Sequence, residues 1–195
     1  MDAHPRKIDA RQSQTFRGAH RLRVGRKSQE GACYFITTKT HEREPLFLQP
    51  AAAGIVMRSI EWMQSEGRWE WLCYVVMPDH LHLVFALTSQ TPLKSLLRSF
   101  KGFTADRINE TLRRQGTLWQ DGYFDHRIRS HEKLDQVAFY CFRNPVHARL
   151  VLDGRDWPFF KCQPALWAEV EANYDYLLAL EADKKGWEPP AVRAD

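Results

Sequence analysis

Apolar positions along the chain change rhythm repeatedly, and each change marks an element. The run from Ala32 to Lys39, ACYFITTK, is aromatic and β-branched and predicts a strand. A loop with two prolines, HEREPLFLQP, follows it. Residues 51–66 repeat apolar side chains at helical spacing, Ile55 with Trp62 and Val56 with Ile60 and Met63, and Gly67 marks the stop. Trp69 to Met77 (WEWLCYVVM) and His80 to Ala86 (HLHLVFA) read as two strands joined in a hairpin by the Pro78-Asp79 turn. Residues 92–115 predict a long basic helix with Leu93, Leu96, Leu97, Phe100, Phe103 and Ile108 as its apolar members, closed by Gly116. A fourth strand falls within Trp119 to Arg129. Ser130 is expected to cap a helix from about His131 to Asn144, which Pro145 stops.

The order strand, helix, strand, strand, helix, strand, helix contains two split β-α-β halves. It predicts an α+β chain with a ferredoxin-like antiparallel sheet, helices on one face, and the last helix added on the C-terminal side. The remainder, residues 146–195, is tryptophan-rich with several prolines and is expected to wrap the core before a helix near 165–182.

Composition narrows the class. With 195 residues, 44% hydrophobic and 27% charged, the chain fits one globular domain plus tails. No apolar run approaches the ~18 residues that span a bilayer, and the N-terminus lacks the apolar stretch of a signal peptide. Cys33, Cys73, Cys141 and Cys162 form no CxxC pair, which argues against a zinc knuckle and fits a reducing cytoplasm. The net charge is only +4, but residues 1–28 carry eight Lys or Arg against Asp2 and Asp9. Residues 94–129 carry eight more against four acids, and residues 167–195 hold seven acids against three bases. Two basic stretches point to a polyanion, with nucleic acid the first candidate and solvated helix faces the plain alternative.

Three groups of residues could carry chemistry. In a strand, His80 and His82 point to one face, a two-point clamp for a divalent ion or simply two half-exposed histidines. Tyr140 and Asn144, four apart, share one side of a helix whose core stripe is Leu134, Val137, Ala138 and Cys141. That puts the Tyr140 hydroxyl at the edge of the buried face, within reach of a neighbouring site or merely wetting its tip. The stretch from Lys94 to Arg129 offers Arg98, Lys101, Arg107, His126, Arg127 and Arg129 to a phosphate backbone, with Phe100, Phe103 and Trp119 interleaved. The two phenylalanines are read as core.

Together these runs resemble a known family. VVMPDHLHLVF is similar to the His-hydrophobic-His motif of single-tyrosine HUH transposases. LLRSFKGFTADRIN, LWQDGYFDHRIRS and FYCFRNPVHARLV resemble the REP-associated tyrosine transposase branch, and DWPF and the opening YFITTKT…REPLF fit it as well. The likeness covers roughly residues 32 to 160. Residues 1–30, polar, basic and nearly free of apolar periodicity, read as a flexible arm and 161–195 as a C-terminal extension, both outside the match; the resemblance implies a single-tyrosine HUH transposase domain over 31–160. It further implies Tyr140 as nucleophile on an added catalytic helix, and His80, His82 and Asn144 as ligands of Mg²⁺ or Mn²⁺. Lys101, His126 and Arg129 match recurrent family positions. The implied activity is metal-dependent cleavage and rejoining of single-stranded DNA beside a hairpin or palindromic repeat, through a covalent 5′-phosphotyrosine. The implied setting is the cytoplasm, on nucleoid DNA and away from membranes, with the protein a monomer or a homodimer. Two other classes stay open at this point: a non-catalytic ferredoxin-like nucleic-acid-binding module, and a metallohydrolase that uses water.

Overall fold

The computed structural model describes residues 28–129 and 132–190. The predicted basic arm falls almost wholly outside the described residues, as does Ser130. Five strands form one antiparallel sheet: β1 (Cys33–Lys39), β2 (Trp69–Met77), β3 (His80–Leu87), β4 (Phe124–Arg127) and β5 (Phe160–Cys162), in the order β4-β1-β3-β2-β5. Its centre is the predicted hairpin, with Met77 paired to His80 across the two-residue Pro78-Asp79 turn. Five helices join it: α1 (Pro50–Ser65), α2 (Leu93–Thr111), α3 (Leu134–His147), α4 (Pro164–Ala172) and α5 (Tyr174–Ala182).

Strand alternation divides the core in two. Tyr34 and Ile36 of β1, Tyr74 and Val76 of β2, and Leu81, Leu83 and Phe85 of β3 meet α1 and α2 on one face. Phe35, Cys73, Val75, Met77 and Val84 meet α3, α4 and α5 on the other. An irregularity between Trp71 and Cys73 shifts the register of β2, so Trp69 shares the α1 face with even-numbered Tyr74. The ferredoxin-like pair α1 and α2 thus covers one side as expected, and the added helix α3 seals the opposite side.

The structure corrects four local expectations. Pro145 does not stop α3, which runs on to His147. The proline removes the donor to the carbonyl one turn back, but it lies in the last turn with its ring buried, and the left-handed Arg149 (φ 58°) ends the run instead. Phe103 is 54% exposed, stacked on the equally open Trp62, because three residues past Phe100 carries it around α2 away from the sheet. The C-terminal helix is two helices broken at Asn173. Finally, β5 adds an edge strand to β2, paired from Val75↔Phe160 to Cys73↔Cys162, in a segment too short and irregular to show a strand rhythm. Among the described residues no helix is long and apolar enough to cross a membrane.

Candidate active site

The two histidines of β3 stand on the α3 side of the sheet with ring centroids 4.7 Å apart. Each is oriented through Nδ1. His80 Nδ1 meets Asp79 Oδ1 at 2.6 Å, and His82 Nδ1 meets Thr37 Oγ1 at 2.8 Å. Thr37 is the cross-strand partner of His82, so strand register alone brings the hydroxyl to the ring. With both Nδ1 atoms engaged, Nε2 is the nitrogen each ring has left for a metal, and such outer hydrogen bonds are what orient imidazole ligands. Burial pushes both pKa values below the ordinary histidine range, His82 the further; the Asp79 contact opposes this at His80, and the His80 charge adds to it at His82. Both shifts favour the neutral ring near neutral pH.

Helix α3 lays Tyr140 over this pair. Its ring centroid is 5.6 Å from that of His82 and 6.0 Å from Phe35. Asn144, one turn on, donates from Nδ2 to the Tyr140 carbonyl at 2.7 Å. Its amide also interacts with the His82 ring and with the Tyr140 phenol. Burial raises the phenol pKa, and the Asn144 contact pulls it the other way. The donor set of two imidazoles and one amide fits a divalent cation of intermediate hardness. Among the described residues no three His, Cys, Asp or Glu side chains gather to hold a metal.

Trp187, in the segment after α5, closes one side. Its ring lies 5.3 Å from Tyr140 and 5.0 Å from Phe35, both edge-on. Its indole N–H reaches Glu132 at 3.3 Å, and the same carboxylate holds His126 Nε2 at 2.7 Å and the Arg129 N–H at 2.7 Å. His126 therefore borders the Tyr140 side of the sheet, while Arg129 and Arg127 are exposed at its β4 edge, Arg127 bonded to Gln29 at 2.7 Å.

The other predicted DNA contacts sit elsewhere. Arg98, Lys101 and Arg107 belong to α2, on the opposite face of the sheet from Tyr140. Arg98 is exposed, and Arg107 pairs with Glu110 at 2.9 Å. Lys101 donates to the carbonyls of Gln120 and Gly122, each at 2.7 Å, and so pins the loop before β4 to α2. Between α2 and that loop runs a groove of about 610 Å³ with Lys94, Arg98 and Lys101 among its lining residues.

Four supporting residues escaped the sequence reading: Thr37, Asp79, Glu132 and Trp187. The position of Asp79 immediately before His80 was a usable local signal. Thr37, Glu132 and Trp187 are 45, 6 and 55 residues from the partners they hold, His82, His126 and Glu132, and no spacing rule links them.

The comparisons with known proteins bear on the family and the fold. Residues 29–143 match the family described as "Transposase IS200 like". A Haemophilus influenzae protein assigned by name to the REP-associated tyrosine transposases is 23% identical over 155 residues, 72% of this chain and 85% of that protein. The REP-associated tyrosine transposase of Escherichia coli K12 is 23% identical over 131 residues, 67% of this chain and 76% of its own length. The solved structure of a REP-associated tyrosine transposase bound to a REP hairpin shares the fold, with TM-score 0.56 and 20% identity, over 87% of this chain and 92% of that one.

Proposed function

This chain belongs to the IS200-like transposase family, and on that premise we propose that it cleaves and rejoins single-stranded DNA next to a hairpin or palindromic repeat, with Tyr140 as the nucleophile. The observation that carries the reading is the placement of the Tyr140 ring 5.6 Å from His82, with Asn144 one helical turn on and bonded to the Tyr140 carbonyl.

In the proposed reaction the Tyr140 phenolic oxygen attacks the phosphorus of one phosphodiester in line with its 3′-oxygen. The new bond joins tyrosine to the 5′-phosphate, the P–O3′ bond breaks, and the phenol proton is given up as the 3′-oxygen takes one to leave as a hydroxyl. A second 3′-hydroxyl attacking the phosphotyrosine reverses the step and joins a different strand. His80, His82 and Asn144 would hold Mg²⁺ or Mn²⁺, which supplies Lewis-acid polarisation of the phosphate and makes a phenol with a raised pKa usable at neutral pH. Asp79 and Thr37 fix the two imidazoles, and Phe35 and Trp187 set the tilt of the phenol by edge contacts. His126, Arg127 and Arg129 would take backbone phosphates entering along the β4 edge. Arg98, Lys101 and Arg107 would bind DNA on the far face, away from the cut. The setting that fits this reading is the cytoplasm, on nucleoid DNA.

The test uses single-stranded oligonucleotides spanning the palindromes that flank the gene, with Mn²⁺, analysed on denaturing gels. The expected result is a protein–DNA adduct, lost with Tyr140→Phe and in EDTA, while hairpin binding by Tyr140→Phe stays nearly intact. Cleavage without an adduct would identify a water-using hydrolase, and binding without cleavage a non-catalytic module; either sinks the proposal.

A further inference from the structure

Beside the imidazole pair, on the side away from Tyr140, lies a cationic edge that no step above uses. Lys39 ends β1 as the cross-strand partner of His80. The Thr40 N–H donates to the Asp79 carbonyl at 2.9 Å, just beyond that pair. Lys39 and His80 are thus a non-hydrogen-bonded pair, the closer of the two antiparallel pairings, with both side chains on the α3 side. Lys39 is exposed and has no salt bridge among the described residues. Asp79 is already taken by His80 Nδ1 and by Arg43 Nε, each at 2.6 Å.

Arg43 reaches this edge through an unusual backbone. Glu42 and Arg43 both adopt left-handed conformations, φ 52° and 60°, which cost a residue with a Cβ and persist where the surroundings hold them. Arg43 donates from Nε to Asp79, and its side chain is half-exposed. Both cations act electrostatically on His80 and on His82, which places them within range of whatever those rings hold.

Direction follows from the strand. Tyr140 packs over His82 and Phe35, and Lys39 lies four residues along β1 from Phe35 on the same face, about 13 Å away at strand rise. A phosphodiester bound between them and attacked in line by the phenol would have its leaving 3′-oxygen on the Lys39 side. Resting on the assignment of Tyr140 as nucleophile, we infer that Lys39 and Arg43 form a clamp for the backbone phosphate of the strand that leaves with the 3′-hydroxyl. The clamp holds the cut end beside the phosphotyrosine so that it stays available for rejoining.

The first arm of the test needs no cleavage. Metal-free protein in EDTA is titrated with oligothymidylate of 15 nucleotides by fluorescence anisotropy at several salt concentrations. Lys39→Gln is expected to weaken binding several-fold and to make the slope of log affinity against log salt shallower by about 0.7, one single-strand phosphate contact; Lys39→Arg is expected to restore both. The second arm uses Mn²⁺ and the oligonucleotide that the wild type cleaves: Lys39→Gln should lower the ratio of rejoined to cleaved product while the Tyr140 adduct still forms. Unchanged affinity and salt slope for Lys39→Gln overturn the clamp. So does an unchanged rejoining ratio. Absence of any adduct in the wild type instead overturns the Tyr140 assignment, so the two failures are told apart.

Discussion

At the residue scale the site is built from contacts of one or two atoms, some of which orient the two imidazoles from behind. Asp79 joins three roles in one carboxylate: it turns the His80 ring through Nδ1, anchors Arg43, and sits in the hairpin turn that starts β3. An imidazole without its outer hydrogen bond loses a fixed tautomer and some basicity, a loss of about 10–100-fold in metal affinity for such partners. Asp79→Asn should therefore weaken Mn²⁺ binding by about that factor, read by calorimetry or manganese spin resonance, with the fold intact by circular dichroism. Unchanged affinity would show that the His80–Asp79 bond does not prepare a ligand. His80, His82, Tyr140 and Asn144 were visible in the sequence because each pair obeys a local period, two in a strand and four in a helix. Thr37 obeys no such period, since it meets His82 only through the register of β1 on β3.

At the element scale, α2 and α3 differ in what their polar faces do. Helix α3 turns Tyr140 toward the sheet, and α2 carries its charges away from it, on the far face of the protein. Charge removal on α2 should thus reduce affinity without touching the reacting groups. Arg98→Gln is expected to lower hairpin affinity and flatten its salt dependence by about one phosphate contact, with the single-turnover cleavage rate at saturating DNA unchanged. A fall in that saturated rate would mean α2 communicates with the cut. Helices were read well where one face is buried and the other wet. The fourth strand was legible only as a region, because β4 has no fully buried residue to set a rhythm, and β5 was not legible at all. Pro145 misled for a physical reason: its ring is buried, and tertiary packing outweighed the missing hydrogen bond.

At the scale of the whole molecule, the same burial that prepares the imidazoles makes stability depend on pH. His80 and His82 have pKa values depressed in the folded protein, so on acidification the unfolded chain takes up protons first. Metal-free protein should lose stability as pH falls below about 6.5, with a slope approaching about 1.4 kcal/mol per pH unit for each proton bound only by the unfolded chain. Glu132 adds a separate, more acidic window. Burial works against its charged form, but the bonds from Arg129, His126 and Trp187 still leave its pKa lowered, and that stability is lost only as the carboxylate protonates. Urea midpoints measured from pH 7.5 to 5.5 check the histidine window; a flat profile there would mean that the rings are as free as in the unfolded chain. The amino-acid sequence by itself determined the element order, the face each histidine takes and the side of the helix that bears Tyr140, because these follow from periods of two and four along a local chain. Only the tertiary structure decided that α3 crosses the sheet opposite α1 and α2, that Tyr140 lands over His82, and that Lys39, Arg43, Glu132 and Trp187 border the same site. Those placements depend on strand register and on which face each helix seals, and both are set by burying apolar area shared among segments far apart in the chain.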